Sequence, residues 1–194
     1  NSAMPQVDNS TNRVLFNVAG TSFDLVSSRL QSLNVAAKAP EIRLAALQQK
    51  NPLHKSDAAN NLFEAKNDYS NSLWSQVFGS NINQGNSVGA GYNANVKGVA
   101  FGFDKRIDAD LFAGVSMSYA NSISKSNDNL KKTEIDSYQV NLYSGHNLGN
   151  DYFVNNLVGF VWNEFSSSRV IPVAGVAAQG KYSGQNYIAR VEGG

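Results

Sequence analysis

The chain offers few residues that could do chemistry. Its two histidines, His54 and His146, lie far apart, and it has no cysteine. Without a thiolate or paired imidazoles it carries no metal-ligand spacing. Glu134, Asp136 and Glu164 could supply carboxylates for hydrolysis, but each falls near a strand end and reads as a solvated carboxylate. Ser166-Ser167-Ser168 lacks the small-residue frame of a nucleophile elbow. Gly89-Ala90-Gly91 has the glycines of a phosphate loop but no helix after them. The residues therefore single out no catalytic, cofactor or metal site.

What the side chains can do depends on the elements that carry them. The 194 residues suit one domain, or at most two small ones. Only 16% are charged and the net charge is +1, so no basic balance argues for nucleic acid. Small polar residues and 16 glycines stand in for the missing charge, while the 10% aromatic content argues against disorder. No apolar run approaches the ~18 residues of a transmembrane helix. Few charges, many glycines and aromatics, and little continuous hydrophobicity fit a barrel whose strands each turn one face to lipid.

Two periodicities divide the chain. Residues 1–9 read as a cloning scar or a remnant of an upstream segment, and 10–50 as a helical region. Ala19, Phe23, Val26, Leu30 and Leu33 step by four and three along one helix face. Ser10 or Thr11 is placed to cap its start and Asn34 to stop it. A second short helix is expected from Pro40-Glu41 through Leu47. Residues 51–72, rich in Asn, Asp, Lys and Ser, read as a flexible linker.

From Leu73 to Gly194 the period becomes two, which predicts about six antiparallel strands. Val99, Phe101 and Phe103 share one face; Ala100, Gly102 and Asp104 share the other. Leu111, Ala113, Val115, Met117 and Tyr119 oppose Gly114, Ser116 and Ser118. Tyr138, Val140 and Leu142 oppose Ser137, Gln139, Asn141 and Tyr143. Tyr152, Val154, Val158, Phe160 and Trp162 form a face that includes Asn156, and Tyr187, Ala189 and Val191 oppose Ile188, Arg190 and Glu192. Turns after Ile107 and Leu148 are short, whereas polar connections near 85 and 128, and from Ser166 to Gly180, are longer. Short turns at one end and long loops at the other mark an outer-membrane barrel. Tyr92, Tyr119, Tyr152 and Tyr187 fall near strand ends, where an aromatic girdle would lie. Trp74 and Trp162 fit either a girdle or a core.

Several stretches, in order, resemble the autotransporter β-domain, the translocator of type V secretion. They are Leu73-Trp74-Ser75-Gln76-Val77-Phe78-Gly79; Gly91-Tyr92 with Gly98-Val99-Ala100-Phe101-Gly102-Phe103-Asp104; Leu111-Phe112-Ala113-Gly114-Val115 with Tyr119; and Asp136-Ser137-Tyr138-Gln139 with Leu142-Tyr143 and Gly145. Phe23 through Arg29-Leu30 is similar to the linker helix that threads the family's pore.

The resemblance implies an all-β fold with an N-terminal helix, the helix lying in the lumen of an outer-membrane barrel. Such barrels close with twelve strands and an aromatic C-terminus, so a chain of about six strands ending at Gly194 is expected to be a fragment. It further implies export and anchoring of the chain's own N-terminal passenger in a Gram-negative outer membrane. The partners would be that passenger, outer-membrane lipid, the barrel-assembly machinery and periplasmic chaperones. Val99, Phe101, Phe103, Val115, Met117, Val140 and Leu142 would face lipid. Gln139, Asn141, Arg190 and Glu192 would line the lumen, with Asp24 and Arg29 of the helix pairing lumen charges. Some family members cut their own linker at an asparagine, but neither Asn17 nor Asn60-Asn61 sits in a matching junction. The competing reading is a soluble antiparallel β-sheet binding module with the helix packed on one face.

Overall fold

A computed structural model describes residues 9–38, 64–67, 71–85, 91–149, 152–171 and 175–194. Helix α1 spans Asn9–Lys38. It is followed by strands β1 (Glu64–Asn67), β2 (Asn71–Gln84), β3 (Tyr92–Arg106), β4 (Leu111–Ser126), β5 (Lys131–Gly149), β6 (Tyr152–Ile171) and β7 (Val176–Gly193). All seven form one antiparallel sheet in sequence order. Sequential order is what short hairpin connections enforce.

The register makes each row of the sheet readable. Trp74, Gly102, Ser116, Asn141, Gly159 and Ile188 are successive partners and share the face that α1 covers. One residue along, Leu73, Phe103, Val115, Leu142, Val158 and Ala189 share the opposite face. Val14, Val18, Phe23, Val26 and Leu30 of α1 pack with Phe78, Val96, Phe112, Ile135, Leu157 and Phe165 in the covered core.

The sheet must curl to do this. Side chains of α1 bond to β2 at Ser72 and to β7 at Arg190. Five strand spacings separate β2 from β7, about 24 Å across a flat sheet. A helix about 10–12 Å wide reaches both only if the sheet wraps around it. No helix among the described residues is long and apolar enough to cross a membrane.

Several sequence expectations are corrected. The helix begins before Ser10 and Thr11 and continues past Asn34, so none of these marks a boundary. Residues 64–67, inside the expected linker, pair with β2. Much of the expected Ser166–Gly180 loop is strand, paired out to Ile171 and Val176. Backbone ladders continue through this polar stretch because their hydrogen bonds do not depend on apolar side chains. Tyr92 is buried on the helix side rather than set in an outer girdle. The second short helix expected from Pro40 falls outside the described residues.

Candidate functional site

The covered face of the sheet is built around Asp104. Alternation along β3 puts Ala100, Gly102 and Asp104 on that face, and Asp104 is buried there. Its Oδ2 accepts from Arg29 Nε of α1 at 2.7 Å and from Ser72 Oγ at 2.8 Å. Its Oδ1 accepts from Trp74 Nε1 at 3.2 Å and from the Tyr143 hydroxyl. Arg29 Nη2 also donates to Ser72 Oγ at 2.6 Å, and Trp74 Nε1 lies 3.0 Å from Tyr143 Oη. A buried carboxylate is tolerated where a cation and several donors replace its water, and this one has both.

Glycines make the node possible. Trp74 lies opposite Gly102, and Tyr143 opposite Gly114. A Cβ on either glycine would overlap the facing ring. The bare backbone lets both rings lie against the wall with their polar atoms aimed at Asp104.

A second set of bonds ties the helix to β7. Arg190 Nη1 donates to Asp24 Oδ1 at 2.9 Å and lies 3.6 Å from Glu192 Oε1. Ser27 Oγ donates to Glu192 Oε2 at 2.6 Å. Phe23 is seated at Gly159, with the Arg190 guanidinium 5.7 Å from its ring centre. Toward the start of α1, Arg13 Nη1 donates to Gln84 Oε1 at 2.9 Å and Ser80 Oγ to Asn17 Oδ1 at 2.8 Å. Ser22 and Ser118 hydroxyls are 2.8 Å apart.

These contacts fix the direction of the helix. Arg13, Asn17 and Arg29 meet Gln84, Ser80 and Ser72 of β2 in turn, so α1 runs antiparallel to β2. The start of α1 lies at the end of the sheet where β2 and β3 are joined through 85–91. The Arg29 turn lies at the end of the short 107–110 turn, where β2 begins.

The residues singled out in the sequence fall into two groups. Asp24, Arg190 and Glu192 form one charged chain, and Gln139 Nε2 donates to Asn141 Oδ1 at 2.7 Å on the covered wall. Arg29 bonds instead to Asp104, which sequence reading put on the right face but did not single out. Phe101, Phe103, Val115, Met117, Val140 and Leu142 are exposed on the opposite face, and Val99 on that face is half-buried. Tyr119, Tyr138 and Trp162 form a row at one edge of this apolar band, the two tyrosine rings 5.3 Å apart. Trp74, whose sequence position fits either a girdle or a core, is in the core, and Trp162 is partly exposed.

The carboxylates considered for hydrolysis lie past the aromatic row, where Asp136 and Glu134 serve surface bonds and Glu164 is exposed. Asp136 accepts from Tyr119 Oη at 2.7 Å and Asn121 Nδ2 at 2.9 Å. Glu134 lies 3.7 Å from the Lys132 ammonium. His146 is exposed near a turn, and His54 falls outside the described residues. Sequence reading missed Ser72 as a partner of the helix, Ser27 as a helix residue bonded to the wall, and Tyr143 as a donor to Asp104. The available signal was Asp104 itself, an acid on a face otherwise given to glycine and alanine.

The family model for the autotransporter beta-domain matches residues 73–194. No curated protein matches the chain.

Proposed function

The chain belongs to the autotransporter β-domain family, the translocator domains of type V secretion, and from this we propose that it exports and anchors an N-terminal passenger. The observation that carries the proposal is the path of α1 along the covered wall, antiparallel to β2. A chain that has passed through the pore must return down its length before entering the first long strand. That path requires a helix starting at the long-connection end and finishing at the short-turn end.

The site takes on a physical meaning in this setting. Phe101, Phe103, Val115, Met117, Val140 and Leu142, with Val99, form a band facing the hydrocarbon of a Gram-negative outer membrane. Tyr119, Tyr138 and Trp162 sit at its interface, where amphipathic rings are favoured. Gln139, Asn141, Arg190 and Glu192 line the lumen, and Asp24 and Arg29 hold the helix to it. The chain's partners are its own passenger, the membrane lipid, the barrel-assembly machinery and the periplasmic chaperones that deliver unfolded barrels. No step requires bond-making or a cofactor; the work is positioning.

Cells making the full-length protein with an epitope placed upstream of Asn9 test the reading. Protease added outside intact cells is expected to remove the epitope. An epitope that stays protected until the outer membrane is opened would contradict export.

A further inference from the structure

The covered wall carries polar atoms with no hydrogen-bond partner among the described residues: Ser122 Oγ, Gln139 Oε1 and Asn163 Nδ2, all buried. Their side chains are no more than 3% exposed. Among the described residues, Gln139 is engaged through its amide nitrogen, to Asn141, and Asn163 through its oxygen, from Ser137 Oγ at 2.7 Å. An orphaned buried polar group costs about 1–3 kcal/mol, so apolar residues here would give a more stable helix-filled state.

The three lie in adjoining rows of the wall. Ser122 pairs with Ile135; Ala120, Ser137 and Asn163 form the next row; Ser118, Gln139 and Val161 the one after. Rows on one face are about 6.6 Å apart along the strands, and the three residues stand on β4, β6 and β5, so they are also offset by one or two strand spacings of about 4.8 Å across the wall. An extended polypeptide presents its backbone N–H and C=O groups to one side with the same repeat. Asn163 offers a donor, Gln139 an acceptor, and the Ser122 hydroxyl either.

We infer that Ser122, Gln139 and Asn163 form a contact stripe for the extended backbone of the passenger while it is in the lumen, before α1 takes its place. This rests on the export reading above. A chain in transit loses water from its peptide groups, and each unpaired group raises the barrier to passage. Neutral amides and hydroxyls replace that water without regard to passenger sequence. They also avoid the fixed charge that would hold a passenger in place.

The test compares the rate of surface appearance of an epitope-tagged passenger in cells making the full-length protein. Gln139→Met and Asn163→Leu approximate side-chain size and remove the unused atom together with the bond to Asn141 or from Ser137, so their export is compared at matched amounts of folded barrel. Each is expected to slow export per folded barrel about fivefold, the ratio equivalent to one hydrogen bond of about 1 kcal/mol. Ser122→Ala removes only an orphaned hydroxyl, leaves folding intact, and is expected to slow export in the same sense. Wild-type export with all three variants at the wild-type rate would overturn the stripe. It would also assign these atoms to bridging water in the helix-filled state. Absence of passenger from the surface in the wild type would instead overturn the export reading itself.

Discussion

Arg29 Nε of α1 lies 2.7 Å from Asp104 Oδ2 of β3, with the two side chains only 13% and 4% exposed. This pair joins residues 75 apart in sequence and anchors the helix to the wall at the end where β2 begins. Its strength comes from company as much as charge, because Ser72, Trp74 and Tyr143 complete the carboxylate's hydrogen bonding.

Breaking the pair from one side leaves a buried charge without its partner. Arg29→Met is expected to destabilise the full-length protein by about 3 kcal/mol, read as a lowered unfolding midpoint. Arg29→Met combined with Asp104→Leu is expected to recover much of that loss, because no charge then remains buried. A single variant as stable as the wild type would contradict the anchoring role.

The opposite face gives a prediction of the other kind. Val115 lies in the apolar band between Phe103 and Leu142. Val115→Arg is expected to cost about 2–4 kcal/mol near the membrane midplane, measured by unfolding from lipid vesicles. Unchanged stability would sink the orientation assigned to the sheet.

Much of this arrangement was legible before any coordinates. Period-two alternation separated Val115 and Met117 from Ser116 and Ser118, and the register keeps them on opposite faces. The helix stripe through Phe23, Val26 and Leu30 is the stripe that packs. What escaped was governed by long-range partners. Strand length beyond the band is set by ladder pairing, so the polar run 166–171 read as loop. Distance from a strand end suggests a girdle position for Tyr92, while its face depends on pairing with Gln84 and Ser126. Asp104 became conspicuous only once Arg29 and Tyr143, distant in sequence, were brought beside it.

Gly102 tests the packing of that node. A methyl group there would overlap the Trp74 ring, which its bonds to Asp104 and Tyr143 hold in place. Gly102→Ala is expected to cost about 1–3 kcal/mol and to shift the Trp74 fluorescence, observed cleanly in a Trp162→Phe background. An unshifted spectrum with unchanged stability would mean the ring can move aside freely.

Two turns make the protein sensitive to acid. Backbone N–H groups of Asp110 and Leu111, at 2.9 and 2.7 Å, hold the Asp108 carboxyl below its ordinary 3.8. The Ser126 hydroxyl and the Leu130 N–H do the same for Asp128. Both carboxylates favour the folded state fully above pH 3.8, and the contribution disappears as pH falls through the lower folded values. Unfolding of an Asp108→Asn, Asp128→Asn double variant is expected to change less steeply with pH in that acidic range. An acid limb identical to the wild type would assign the sensitivity elsewhere.

The most direct test of the helix in the wall uses the absence of cysteine from the chain. Ser22 and Ser118 oxygens lie 2.8 Å apart, one on α1 and one on β4. A Ser22→Cys, Ser118→Cys pair in the full-length protein should be oxidised to an intramolecular bond in outer-membrane fractions, giving a mobility shift that reductant reverses. Both thiols remaining open to a bulky water-soluble maleimide, with no shift on oxidation, would contradict a helix lodged against the inner wall.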